Sequence, residues 1–97
     1  MFKLNQQPLF ARKLKKLFKK NKDLSPTVRN TLNRLASNPS DPRLKSHKVI
    51  AKDGDKAFSS SVTGDLRIIW RYRPDKTVQV IDLIDIGGHS GSNKVYQ

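Results

Sequence analysis

Two dense apolar runs joined by a short polar turn occupy the last third of this chain, and they leave few folds open. The first, Leu66 to Arg73, is rich in β-branched and aromatic residues and alternates: Leu66, Ile68, Trp70 and Tyr72 share one parity, while Arg67, Arg71 and Arg73 share the other with Ile69. One face of such a strand seeks a core and the other carries three guanidiniums. Pro74-Asp75-Lys76 supplies a turn. Val78 to Ile86 is then almost continuously apolar, the pattern of a central strand covered on much of both faces. Gly87-Gly88 is expected to end that strand, because paired glycines carry high backbone entropy, so His89 is expected where the strand stops. The stretch Asp65 to Tyr96 therefore reads as a β-hairpin delivering a histidine to a surface cleft.

The rest of the chain must cover that hairpin. Phe2 to Gln6 alternates apolar and polar, enough for one short strand. Pro8 fits the first turn of a helix, in which Phe10, Leu14, Leu17 and Phe18 form one apolar stripe. Ser25-Pro26 restarts the chain as a second helix, with Ser25 as its cap, carrying Val28, Leu32, Leu35 and Ala36 and ending at Asn38-Pro39. Residues 38–55 read as irregular, pinned by Leu44, Val49 and Ile50, and Ala57 to Val62 as a plain strand turning through Thr63-Gly64-Asp65 into the hairpin. The expected order is β-α-α-β-β-β: an α+β fold, one domain over residues 1–97, with an antiparallel sheet and a helical hairpin packed on one face.

Charge divides this chain in two. Residues 1–52 hold 14 Lys/Arg and 2 Asp, whereas residues 53–97 hold 6 of each, so the whole net charge of +12 belongs to the first half. Arg12, Lys13, Lys15, Lys16, Lys19 and Lys20 crowd the outer face of the first helix at i, i+3 and i+4 spacings that repel one another. With no Glu in the chain, nothing is interleaved to relieve them. Such a field attracts polyanions within a Debye length of about 8 Å at physiological salt, and nucleic acid is the commonest of these; a solvated surface or a patch for one acidic protein are the alternatives. The absence of Cys excludes disulfides, thiolate metal sites and cysteine nucleophiles. The start lacks a signal-peptide core and no apolar run approaches the ~20 residues of a membrane span, so a soluble cytoplasmic protein with no membrane partner is expected.

Chemistry at neutral pH falls first to the two histidines, His47 and His89. His89 is flanked by Gly88 and Ser90-Gly91-Ser92-Asn93, a loop of small residues poorly suited to packing. Arg67, Arg71 and Arg73 offer planar donors matched to phosphate, unless Asp82 and Asp85 of the neighbouring strand neutralise them. Two histidines among scattered aspartates show no metal-ligand spacing, and no glycine-rich phosphate loop is present, so neither metal nor cofactor is expected. A Ser90-His89-Asp85 triad is disfavoured because adjacent residues seldom point together.

The basic first helix, the segment Leu44-Lys45-Ser46-His47, the strand Asp65-Leu66-Arg67-Ile68-Ile69-Trp70-Arg71-Tyr72 and the ending Asp85-Ile86-Gly87-Gly88-His89-Ser90 together resemble the RelE/ParE superfamily of type II toxins. Within it the chain looks most like the mRNA-interferase (RelE/YafQ-like) branch. The resemblance implies a toxin that cuts messenger in the ribosomal A site by 2′-hydroxyl attack, without metal, and that is neutralised by a cognate antitoxin. It implies phosphate binding by Arg67, an acid role for His89, proton-transfer assistance from His47 and Asp65, and substrate orientation by Tyr96. Lys45 or Lys48 would stand in for the base, and Ser61 occupies a position where one subgroup has histidine. Lys13, Lys16, Lys20, Lys45, Lys48, Arg71 and Arg73 are the expected RNA contacts. A ParE-like gyrase inhibitor and a non-catalytic nucleic-acid-binding module are the alternatives.

Overall fold

A computed structural model describes residues 1–73 and 79–88; the expected turn at Pro74-Asp75-Lys76 and the residues His89 and Tyr96 lie outside that set. Strand β1 (Lys3–Gln6) leads into helix α1 (Pro8–Lys20), and a 3-10 turn at Lys22–Leu24 leads into helix α2 (Ser25–Ser37). A second 3-10 turn, Pro42–Leu44, precedes strands β2 (His47–Ile50), β3 (Lys56–Ser61), β4 (Leu66–Tyr72) and β5 (Val80–Gly88). Among the described residues these strands form one sheet in the order β1-β5-β4-β3-β2.

The helices arise where the 3.6-residue period places them. Pro8 opens α1, and Lys19 and Lys20 sit in its last turn, where the helix dipole favours cations. Ser25 does not cap α2 with its side chain; it is already helical, and the residue in the cap position is Leu24. Phe10, Val28 and Leu35 are fully buried, with Leu14, Leu17, Phe18 and Leu32 packed around them, so both stripes meet the sheet through Ile68, Trp70, Ile81, Leu83 and Ile86. Each such side chain contributes about 1.5–3 kcal/mol of burial. Phe2 N–H donates to the Ala36 carbonyl at 2.8 Å, which ties the start of β1 to the end of α2.

The α+β arrangement with a helical pair on one face is as expected, and three details differ. The sheet is mixed, because β1 runs parallel to β5, with Lys3 opposite Val80 and Gln6 opposite Leu83. Residues 38–55 contain a strand: β2 pairs antiparallel with β3, Val49 packs toward Ala51, Ala57 and Ile69 on the face away from the helices, and Gly54 turns the chain at φ 85°. Asp53-Gly54 is a hairpin signal that the polar surroundings obscured. Finally, β5 does end at the glycine pair, but Gly87 and Gly88 are its last two residues rather than the turn after it, paired opposite Arg67 and Leu66. The ladder offered by β4 continues that far, and its hydrogen bonds offset the entropy cost of the glycines.

The central place of β5, between β1 and β4, is what its continuous apolar run requires. A bulge breaks its alternation: Ile69 opposes Asp85 and Trp70 opposes Leu83, leaving Ile84 without a direct partner. The extra residue shifts parity, so Leu83 and Ile86 both reach the helix-side core. Asp82 and Asp85, opposite Arg71 and Ile69, are turned to the other face.

Candidate active site

The helix-free face of the sheet carries the candidate site. Arg67 lies there in β4, between Gly87 of β5 and Ser61 of β3, and is only 9% exposed. Gly87 places no side chain beside it. Its Nε donates to Ser59 Oγ at 2.9 Å, and its Nη2 reaches His47 Nδ1 at 3.1 Å and the carbonyl oxygens of Lys45 and Ser59, each at 3.4 Å. Every one of these partners is neutral or an uncharged ring nitrogen. Among the described residues no carboxylate forms an ion pair with Arg67. A buried cation without a counter-charge is costly, and that cost is relieved when an anion is bound.

Geometry fixes the form of His47. A guanidinium has donors only, so Nδ1 must accept from Arg67, and the neutral ring then carries its proton on Nε2. His47 therefore presents a donor at Nε2, and its only lone pair is engaged by Arg67. Lys45, two residues earlier, has left-handed backbone (φ 48°), which turns the chain so that its carbonyl and the His47 ring both meet the guanidinium.

Arg71 of β4 and Arg73 just beyond its end are neutralised. Arg71 donates to both carboxylate oxygens of Asp53, at 3.0 and 3.1 Å, with Asp55 at 3.8 Å. The Arg71 hydrogen bond, followed by one from the Asp55 backbone, holds the Asp53 carboxyl below its ordinary value. Arg73 bonds Asp82 at 2.8 Å. Burial pushes the Asp82 carboxyl up, but hydrogen bonds from Arg73 and Asn5 outweigh it and leave it below the ordinary range. Of the two expected neutralising acids, Asp82 alone serves an arginine among the described residues. Asp85, with 5% side-chain exposure, takes Lys13 of α1 at 2.7 Å instead.

Lys13 is thus tied to the sheet, while Lys16 and Lys20 on the same helix reach solvent. All three line a cleft of about 490 Å³ between α1 and the ends of β4 and β5, with Asp65, Leu66, Gly87 and Gly88 on its other wall. Asp65, in the turn two residues before Arg67, joins this cleft. Lys48 lies exposed on β2 beside His47. Ser61 Oγ donates to the Thr63 carbonyl at 2.8 Å and serves the turn. Arg67 and His47, grouped on the sequence, do meet in the structure, whereas Ser59 and the Lys45 carbonyl were not foreseen as their partners. Three consecutive serines in a strand, Ser59-Ser60-Ser61, were the available signal. His89 and Tyr96 lie outside the described residues, although Gly88 pairs with Leu66, one position from Arg67.

No protein-family model matches the sequence, and no curated protein is similar to it. Solved structures do match over nearly the whole chain. A metal-bound toxin from Helicobacter pylori is 24% identical, with a TM-score of 0.72, over 92% of this chain and 96% of that one. A YoeB/ParE toxin from Agrobacterium tumefaciens is 12% identical, with a TM-score of 0.73, over 92% and 100%. A chain of the E. coli DinJ-YafQ toxin-antitoxin complex is 13% identical, with a TM-score of 0.69, over 91% and 92%. The chain has the RelE/ParE toxin fold. In that fold the helical pair covers one face of the sheet and leaves the other, with Arg67 and His47, uncovered by helices. Among the described residues no group of three or more His, Cys, Asp or Glu could hold a metal ion, and no helix is long and apolar enough to cross a membrane.

Proposed function

We propose that this chain is the toxin of a type II toxin–antitoxin system and acts as a metal-independent endoribonuclease that cuts messenger in the ribosomal A site. The observation that carries the reading is Arg67: a buried guanidinium, held by neutral acceptors beside a histidine, on the face of the sheet that the helices do not cover. A phosphodiester supplies the missing negative charge, and its transition state supplies more. Attack of a ribose 2′-oxygen on the adjacent phosphorus forms a phosphorane with added charge on its equatorial oxygens. A guanidinium already fixed by Ser59 and His47 stabilises that charge without reorganising. The P–O5′ bond then breaks, leaving a cyclic phosphate and a 5′-hydroxyl once the leaving oxygen gains a proton. In this reading His47, whose Nδ1 accepts from Arg67, would use its Nε2–H as the donor to a phosphate or leaving oxygen. It is poorly placed as the base, because its lone pair faces Arg67. Base and acid then fall to Lys45, Lys48, Asp65 and His89, with Tyr96 orienting the substrate, roles that the resemblance suggests.

Lys16 and Lys20, with Lys45 and Lys48, supply the affinity for ribosomal RNA in this reading, while Arg71 and Arg73 contribute little because aspartates hold them. A cognate antitoxin is the expected partner, as in the complex of like fold, and the cell's cytoplasm the expected site of action. To test the proposal, pure protein is incubated with translating ribosomes and messenger ends are mapped. Cleavage by wild type, with Arg67→Ala and His89→Ala each reduced by at least about a hundredfold, is the expected result. Undiminished cleavage by both variants rules out the site. Intact messenger with inhibited DNA supercoiling would instead favour the ParE-like alternative.

A further inference from the structure

Successive residues of a strand face opposite sides of the sheet, and in β3 this places two serines on two different tasks. Ser59 faces away from the helices and accepts from Arg67 Nε. Ser60, fully buried, faces the helix-side core, where Trp70 Nε1 donates to its Oγ at 2.7 Å. The indole is a donor only, so Ser60 must accept from it. The Ser60 hydroxyl lies 2.6 Å from Ser46 Oγ. Donation from Ser60 to Ser46 satisfies the buried hydroxyl as donor and acceptor alike, giving the direction Trp70 to Ser60 to Ser46. Ser46 stands between Lys45, whose carbonyl accepts from Arg67, and His47, whose Nδ1 accepts from it.

We infer that Trp70, Ser60 and Ser46 form a positioning relay that holds the Lys45-Ser46-His47 segment in register with Arg67, through the sheet from its opposite face. None of the three touches the guanidinium. The segment needs an anchor for two reasons: it leaves a 3-10 turn through a left-handed residue, and Lys45, Ser46 and His47 are all solvent-exposed. One hydrogen bond from the packed core fixes Ser46. The strand pleat then aims His47 at the other face, where its Nδ1 is presented to Arg67. Trp70 is an effective base for the relay because it is 1% exposed and stacked on Phe58 at 4.7 Å between ring centroids.

The relay is tested in full-length chain labelled with nitrogen-15, using Ser46→Ala, Ser60→Ala and Ser60→Thr. In the wild type the His47 ring should show one tautomer, protonated at Nε2, and the Arg67 Nε–H should exchange slowly. Ser46→Ala and Ser60→Ala should both mix the His47 tautomers and speed that exchange, and Ser60→Thr, which keeps the hydroxyl, should restore the wild-type pattern. Should Ser60→Ala fail to fold, Ser46→Ala decides alone, because Ser46 is exposed and carries no core packing. The effect on turnover rests on the nuclease reading: kcat should fall about tenfold in the alanine variants with KM changed by less than about twofold, the mark of lost alignment rather than lost binding. If both alanine variants leave the His47 ring and the Arg67 Nε–H as in wild type and move only the single tryptophan's indole signal, the relay is confined to the core and the inference fails. The ring signals need no substrate, so a wild type that cleaves nothing would overturn the nuclease reading while the relay is still judged.

Discussion

Replacing Arg67 with Met separates binding from stability more sharply than any other change in this protein. The side chain is 9% exposed, and its described partners are two Ser59 atoms, the Lys45 carbonyl and His47 Nδ1. Arg67→Met removes hydrogen bonds from a charged donor, each worth about 1.5–3 kcal/mol, and leaves Ser59 Oγ to find another partner. It also removes a buried charge that has no described counter-ion, whose desolvation costs several kcal/mol. The opposing contributions nearly cancel, so Arg67→Met should lie within about 1 kcal/mol of wild type or be more stable.

The response to phosphate should differ by much more. Inorganic phosphate at about ten times its dissociation constant stabilises a one-site protein by about 1.4 kcal/mol, which for a chain of this length raises Tm by about 6–11 °C. Arg67→Met should lose that increment. Because a net charge of +12 gives any anion a general stabilising effect, Lys15→Met on the outer face of α1 is the matched control. It removes the same charge and should keep the specific response. The assay is thermal unfolding in phosphate against chloride at equal ionic strength. A loss of more than about 3 kcal/mol in Arg67→Met without phosphate would make the guanidinium a structural strut. An unchanged phosphate increment would show that the anion binds elsewhere; either result refutes the reasoning.

Lys16→Ala with Lys20→Ala should flatten the salt dependence of single-stranded RNA binding by about 0.7 in the log–log slope for each phosphate that is no longer neutralised, measured by fluorescence titration. Arg71→Ala or Arg73→Ala, removing cations already held by Asp53 and Asp82, should change it little. Phe10→Ala should cost about 3–5 kcal/mol in urea unfolding, because the ring is fully buried in the core between helices and sheet. Acid should destabilise the fold in a defined window. Asp41, hydrogen-bonded by the Arg43 side chain and backbone, lies at about 2 against an ordinary value of 3.8, and Asp53 and Asp82 are also lowered. Carboxyls depressed in the folded state add stability above their unfolded value and lose it as pH falls through the folded one. The urea midpoint should therefore be level above about pH 4 and decline toward pH 2, less steeply in Asp82→Asn.

Periodicity made most of this fold legible. The stripes of α1 and α2 and the alternation of β4 depend on local spacing, and the packed structure uses those same residues. The misplaced features were the ones where tertiary pairing overrode local spacing. Gly87 and Gly88 have poor strand propensity but gain ladder partners in Leu66 and Arg67. The short β2 is apolar only at Val49 and Ile50, and its stability comes from β3 and from the Asp53-Gly54 turn. The bulge left a trace that strict alternation cannot explain: Asp82 and Asp85 recur three residues apart, as do Leu83 and Ile86, and a strand with such spacing must slip once to bury both apolar residues.

That slip also explains how charges are allotted on the helix-free face. Without it Asp85 would point into the helix-side core and Ile86 away from it. With it, Asp85 meets Lys13, Asp82 meets Arg73, and the Asp53 turn carries the acid that meets Arg71. Three cations of this region are thereby answered by carboxylates, and Arg67, opposite a glycine, is passed over. Arginine identity alone could not distinguish these cases, since Arg67, Arg71 and Arg73 share a parity in sequence. The bulge and the β2–β3 turn make the difference, and they leave the cation beside His47 without a described carboxylate. Moving an acid to that point should silence the site: Gly87→Asp would supply Arg67 with an internal counter-charge, and it should abolish the phosphate increment that Arg67→Met also loses. Retention of the increment in Gly87→Asp would mean that the open charge of Arg67 is not what draws the anion.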